Sequence, residues 1–287
     1  MSTHSASRIS HPAIAFIGGG NMARSLIGGL IRNGTPAAAI AVAEPNPDLR
    51  AALTQDFAVA THQDNDAAAK SADVLVLAVK PQVMKTVCAG LRGIAQVRQP
   101  LIVSIAAGIR VSQLDAWLGG NLAIVRCMPN TPALIGTGAA GLCPNPACTA
   151  AQRELAQSIL SAAGLAVWIN DEAQMDTVTA LSGSGPAYFF LLTEALIDAA
   201  VAQGLPRETA RELATQTCLG AGRMLREDGA TPADLRRRVT SPNGTTQAAL
   251  DSFAADGFGQ IVARAITAAT RRGIELSTQL NIEAPTK

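Results

Sequence analysis

The 287-residue chain is expected to be an α/β protein, a doubly wound, mostly parallel sheet followed by an all-helical C-terminal domain. Three observations lead there. From Ala13 to about Ile169, short apolar runs alternate with amphipathic stretches of helical period, the pattern of a parallel sheet covered on both faces. After Asn170-Asp171 the strand-like runs stop and helical periodicity alone remains. A turn of the form Gly18-x-Gly20-x-x-Ala23 separates the first apolar run from the first helical stretch, where a Rossmann-type domain carries its dinucleotide loop. The expected organisation is a disordered tail over 1–12, a dinucleotide-binding domain over 13–169, and a helical substrate-binding and dimerisation domain over 170–287.

In chain order the expected strands are Ala13–Ile17, Ile40–Ala43, Ala58–Thr61, Val74–Val79, Leu101–Ser104, Leu122–Arg126, Ala139–Leu142 and Ala166–Ile169. Amphipathic segments such as Asp48–Phe57, Val111–Leu118 and Thr149–Ala162 lie between them. The helical half reads as Glu172–Leu181, Pro186–Gly204, Pro206–Leu225, Pro232–Val239, Gln247–Ala255 and Phe258–Leu280. Prolines stand at or near several of these starts, where a missing N–H costs nothing. The helix from Pro186 is apolar on nearly every face, too apolar for a domain of this size to bury alone, so at least a dimer is expected. Glu194 and Asp198 interrupt that run, which suits an interface helix better than a membrane span.

Ligands of such a sheet bind beyond the carboxyl ends of its strands. Gly18 permits the sharp turn, Gly20 lets a pyrophosphate approach the backbone, and Ala23 lets helix and strand pack closely. The N–H groups at the helix start then face the phosphates. The second strand ends at Glu44, a carboxylate placed to accept from adenosine ribose hydroxyls and to repel a 2′-phosphate, which favours NAD over NADP; Arg50 and Asn46 are the neighbours that can still reach a phosphate. The fourth strand ends in Ala78-Val79-Lys80-Pro81, with Lys80 held away from helical geometry by the proline. The fifth ends in Ser104-Ile105-Ala106-Ala107-Gly108, small enough for a flat ring to lie against the backbone. The sixth runs into Cys127-Met128-Pro129-Asn130-Thr131-Pro132, a rigid loop with polar groups suited to a nicotinamide carboxamide.

A net charge of +1 provides no electrostatic reason to expect nucleic acid or an anionic membrane as partner. The opening MSTHSASRISHP is polar and lacks the apolar core of a signal peptide. The five cysteines form no C-x-x-C pair and have no histidine nearby, so free thiols in a reducing cytoplasm are expected, with no metal site. The Arg236-Arg237-Arg238 run reads as a solvated helix face.

Two stretches rich in Gly, Ser and Thr interrupt the helices, Ser182–Pro186 and Thr240–Thr246. Hydroxyls and free backbone ahead of a helix suit a small carboxylate, although Ser182 or Thr245 could equally serve as a helix cap. Oxidation of an alcohol needs a positioned base, yet the histidines are His4, His11 and His62, and the sole lysine after Lys85 is Lys287. A protonated cyclic imine accepts hydride readily and asks only to be held, with a hydroxyl near its nitrogen. The helical half has the composition for that second task.

The chain resembles the pyrroline-5-carboxylate reductases of proline biosynthesis. The resemblance is strongest in ALSGSGPAYFF (Ala180–Phe190), GLPRETA (Gly204–Ala210) and VTSPNGTTQAAL (Val239–Leu250), and extends to FIGGGNMA, LAVKP, SIAAGI and RCMPNTP. It implies hydride transfer from NAD(P)H to (S)-1-pyrroline-5-carboxylate, giving L-proline. It implies that Thr246 hydrogen-bonds the ring nitrogen, and that Ser241 with the backbone of Asn243, Gly244, Thr245 and Thr246 holds the carboxylate. Cofactor contacts would come from Gly18, Gly19, Gly20, Asn21 and Met22, from Asn65, from Ala78 through Pro81, and from Ala106, Ala107 and Gly108. It further implies NADPH as the common cofactor, in tension with Glu44, and a dimer interlocked through the helical domains. Asn243, where many members carry glycine, suits a left-handed backbone. The alternatives are a β-hydroxyacid dehydrogenase, disfavoured by the missing lysine, and a non-catalytic dinucleotide-binding protein, which needs no hydroxyl-rich loops.

Overall fold

The structure, a computed structural model, describes residues 11–282, so the expected N-terminal tail lies outside the described residues except for His11 and Pro12. Eight strands form one sheet: β1 (Ile14–Ile17), β2 (Ile40–Ala43), β3 (Ala60–His62), β4 (Val74–Leu77), β5 (Leu101–Ser104), β6 (Ile124–Met128), β7 (Gly138–Pro144) and β8 (Gly164–Trp168). Their spatial order is β3-β2-β1-β4-β5-β6-β7-β8. All neighbours run parallel except β6 and β7, which pair antiparallel with Arg126 opposite Cys143. The interleaved helices are α1 (Asn21–Arg32), α2 (Pro47–Phe57), α3 (Asn65–Ala69), α4 (Pro81–Arg98), α5 (Val111–Leu118) and α6 (Ala150–Ser161).

Alternation along the strands divides the core into two layers. Ile14 and Phe16 of β1 pack with Leu26, Leu53, Val76 and Val103 on one face, while Ala15 and Ile17 pack with Leu75, Leu77, Met84 and Leu91 on the other. A strand buried on both faces reads as the unbroken apolar run seen in VLVL and LIVS.

Several strand boundaries differ from the sequence reading for identifiable reasons. Ala58 is the left-handed C-cap of α2 at φ 54°, so β3 begins later, at Ala60. Asn121 is also left-handed at φ 60°, and Leu122 donates its N–H to Asp115 Oδ1, so β6 begins at Ile124. Antiparallel pairing with β7 carries β6 through Cys127 and Met128, residues expected to lie in a loop.

After β8 come a 3-10 turn (Glu172–Gln174) and helices α7 (Met175–Val178), α8 (Gly185–Ala202), α9 (Arg207–Glu227), α10 (Pro232–Arg238), α11 (Thr245–Ala255) and α12 (Phe258–Ile282). The expected break at Ser182–Pro186 is absent. Thr179–Gly183 forms a π-helical turn that runs on into α8. Ser182 Oγ donates back to Val178 O at 3.0 Å and Thr179 Oγ1 to Met175 O at 2.8 Å, and Pro186 falls in the first turn of α8, where it breaks no bond.

The chain divides into two compact units, Ser184–Ala269 and the remaining described residues on either side. The end of α12, from Thr270, therefore groups with the sheet. Within the smaller unit α8 leaves Phe189, Phe190, Leu191 and Leu196 exposed, with Phe190 at 68%. Glu172–Ala202 is the one helical stretch among the described residues long and apolar enough to cross a membrane on length and composition.

One buried ionic network binds the sheet to its flanking turns. Arg126, 4% exposed in β6, lies 3.0 Å from Glu172 Oε1 and 3.7 Å from Asp176 Oδ1. The same Glu172 oxygen accepts the Val111 N–H at 2.8 Å, fixing the start of α5.

Two stability predictions follow from these contacts. Glu172→Ala leaves the buried guanidinium with the more distant Asp176 alone and frees the Val111 N–H, which is expected to lower stability by about 3 kcal/mol in urea unfolding; an unchanged midpoint would show the network to be idle. Ala58→Gly relieves a left-handed alanine at an exposed helix end and should raise stability by about 1 kcal/mol. A lower unfolding midpoint for that variant would refute the strain.

Candidate active site

The first loop is built by close approach of three strands. Gly18 has φ +102°, donates its N–H to Ala43 O at 2.8 Å, and would place a Cβ 2.8 Å from Ala78 O. No side chain other than hydrogen fits there. Gly19 is packed over Leu53, and its N–H donates to Glu44 Oε2 at 2.9 Å. Gly20, by contrast, faces open space: a Cβ there would meet no atom within 4 Å. It precedes the twelve-residue α1, whose first turn no side chain caps. Asn21 is exposed and Met22 half-buried against the core. Free N–H groups, a positive helix end and an open glycine fit the pyrophosphate of a dinucleotide.

Because β1, β2, β4 and β5 are parallel neighbours, their carboxyl ends share one edge of the sheet. Ala78 continues that edge by donating to Ile17 O at 2.8 Å, and Val79 packs against the core. Lys80 is the extended N-cap of α4 and Pro81 its first residue, as the sequence suggested. After β5, Ala106 is buried, Ala107 is exposed and Gly108 turns at φ +74°. Asn65 opens α3 just beyond β3 and is half-buried. A cleft of about 300 Å³ lies beside these ends, lined in part by Pro81, Gln82, Ala107, Gly108, Asp176 and Thr179.

Two expected roles are placed differently. Asn130, in the loop whose polar groups were expected to suit a carboxamide, is committed to the scaffold: Nδ2 donates to Ser182 O at 3.0 Å and Oδ1 accepts the Ala139 N–H at 2.8 Å. Ser182 itself bonds back along its helix, so this stretch offers no open anion loop. Cys127 beside it is no nucleophile, since burial pushes its thiol well above the ordinary range. The Arg126–Glu172–Asp176 network escaped the sequence reading. The available signal was an arginine inside an otherwise apolar strand, IVRCM.

In the smaller unit, Thr240–Thr246 is a turn leading into α11. Asn243 is left-handed at φ 60°, as its side chain allows, and the Gly244 N–H donates to Ser241 O at 3.0 Å. Gly244 is the N-cap and carries no side chain, so Thr245 and Thr246 are the first helical residues rather than loop residues. Their N–H groups lack intrahelical partners. Thr246 is half-buried, while Ser241, Asn243 and Thr245 are exposed.

Residues 172–276 match the family model for pyrroline-5-carboxylate reductase dimerisation, and residues 13–108 match that for coenzyme F420-dependent NADP oxidoreductases. A pyrroline-5-carboxylate reductase of Pseudomonas aeruginosa is 55% identical over 95% of this chain and 99% of its own length. One from Pisum sativum is 39% identical, covering 92% and 96% respectively. Among solved structures, a pyrroline-5-carboxylate reductase of Coxiella burnetii superposes with a TM-score of 0.91 at 43% identity, covering 93% of this chain and 99% of that one. The Plasmodium falciparum pyrroline carboxylate reductase, solved with NADP bound, reaches 0.80 at 28% identity over 93% and 98%. Sharing more than half its residues with one such relative across 95% of its length, this chain belongs to the family of pyrroline-5-carboxylate reductases, oxidoreductases that use a nicotinamide dinucleotide.

Proposed function

We propose that the chain reduces (S)-1-pyrroline-5-carboxylate to L-proline, the last step of proline biosynthesis, with NADPH as the preferred donor and NADH as a weaker one. The observation that carries this reading is the Thr240–Thr246 turn, hydroxyls and unpaired amides at the head of an eleven-residue helix, in a region with no histidine and no lysine before Lys287.

When bound, the nicotinamide supplies the hydride. Gly18 through Met22 would receive the pyrophosphate, with the loops that carry Glu44 and Asn65 toward the adenosine, and Ala78–Pro81 and Ala106–Gly108 along the nicotinamide. The substrate carboxylate would rest on the Thr245 and Thr246 N–H groups and the Ser241 hydroxyl, with Asn243 and Gly244 shaping the turn. The Thr246 hydroxyl, which has no hydrogen-bond partner among the described residues, would hold the ring nitrogen and its proton as the imine carbon is reduced. No alkoxide forms, so no histidine or lysine is required.

On this reading residues 13–169 bind the cofactor, and 170–287 bind substrate and join two copies into a homodimer or larger assembly in the cytoplasm. The exposed aromatic face of α8 supports the self-association. Sedimentation of the purified protein should show a dimer or multiple of dimers, and a monomer at micromolar concentration would remove that part.

The decisive assay follows oxidation of NADPH and of NADH with and without pyrroline-5-carboxylate, identifying proline as product. No substrate-dependent oxidation, or turnover of 3-hydroxy acids instead, would sink the proposal. Thr246→Ala should lower kcat by about 10- to 100-fold with dinucleotide affinity unchanged. An unaltered rate would take Thr246 out of the mechanism.

A further inference from the structure

We infer that Arg50, not Glu44, sets the choice between the two dinucleotides, and that Glu44 is an internal bracket of the phosphate loop. This rests on the reading above, in which the loops after β1 and β2 hold the pyrophosphate and adenosine.

A carboxylate that reads a ribose must offer its oxygens outward to the sugar hydroxyls. Glu44 turns both inward. It is 9% exposed; Oε2 accepts the Gly19 N–H at 2.9 Å and Oε1 accepts the Asn46 N–H at 3.0 Å. Its backbone is equally committed, the N–H donating to His62 O at 2.9 Å and the carbonyl accepting from Arg50 Nη1 at 2.7 Å. Two amides on two separate oxygens also explain why the residue is an acid: glutamine would satisfy one N–H and oppose the other with its own NH₂.

The positive charge at the same place is free. Arg50 Nη1 is anchored on the carbonyls of Glu44 and Pro45, at 2.7 and 2.8 Å, while Nε and Nη2 have no partner among the described residues. No acidic side chain pairs with Arg50 among them either. Arg24 on α1 differs: it pairs with Asp56 and stacks on Phe57, and its unpartnered Nη1 is buried rather than presented to solvent. Asn46 Oδ1 is taken by the Asp48 and Leu49 N–H groups as the cap of α2. That leaves Arg50, half-exposed just past β2 and held by one nitrogen, as the group able to meet a 2′-phosphate. The exposed Asp48 in the same turn opposes the anion without pairing with the arginine.

The test is calorimetric titration of the full chain with NADP⁺, NAD⁺ and 2′,5′-ADP. Wild type should bind NADP⁺ more tightly than NAD⁺. Arg50→Ala should weaken NADP⁺ and 2′,5′-ADP by about 10- to 100-fold and leave NAD⁺ within about twofold, with Arg50→Lys recovering part of the loss. Glu44→Gln should weaken NADP⁺ and NAD⁺ by the same factor. The inference is overturned if Arg50→Ala weakens both dinucleotides equally or leaves NADP⁺ unaffected, or if Glu44→Gln strengthens NADP⁺ while weakening NAD⁺. Failure of wild type to bind any of the three would remove the dinucleotide reading as well.

Discussion

Gly18 stands where three strands nearly touch. Its N–H reaches the last carbonyl of β2, and its Cα faces the carbonyl just past β4 so closely that a methyl group would overlap it. The strand order reverses direction at this point, with β2 and β3 on one side of β1 and β4 onward on the other. A crevice opens at such a reversal because successive helices leave toward opposite faces. The tightness at Gly18 and the openness at Gly20 are two sides of one constraint. The turn must be drawn into the sheet for the start of α1 to be left bare, and the loops after β2, β4 and β5 take their places around it.

Charge in the sheet unit goes into positioning. Glu44 and Glu172 each accept backbone N–H groups belonging to a loop at the edge of the sheet, Gly19 and Asn46 in one case and Val111 in the other. Glu172 also neutralises Arg126, together with the more distant Asp176, where the arginine would otherwise be a buried cation in an apolar strand. An anionic acceptor makes these bonds stronger than a neutral one would, which suits loops that must present their remaining amides to a ligand. Among the described residues the smaller unit carries no comparable buried charge around Thr240–Thr246. Its turn relies on a left-handed asparagine, a bare glycine cap and hydroxyls, a set of groups that can hold an anion and a protonated ring without moving a proton of their own.

The helical unit also shows how small residues can serve continuity as well as interruption. Ser182 and Thr179 return their hydroxyls to carbonyls one turn back, and a π-helical turn absorbs Gly183 between α7 and α8. The result is a long apolar helix with its aromatic side chains outside, a surface that costs free energy in water and that association of two copies would cover.

Much of the architecture was legible in the sequence because it depends on local periodicity. Apolar runs buried on both faces, amphipathic stretches between them and a glycine pattern at the first crossover are each properties of a few consecutive residues, and they specify the doubly wound sheet and the helical half. The left-handed Asn243 was expected from the family resemblance, since asparagine stands where many members carry glycine. Tertiary structure alone decided where polar side chains spend their hydrogen bonds. Glu44 reads as a sugar acceptor in the sequence, and only the fold shows that Gly19, 25 positions away, donates its N–H to one of the carboxylate oxygens. Asn130 looked like a ligand group until Ser182 and Ala139 claimed both ends of its amide. A polar side chain at a strand end is equally suited to a ligand and to a neighbouring loop, and only the path of the chain through space determines which of them lies within 3 Å.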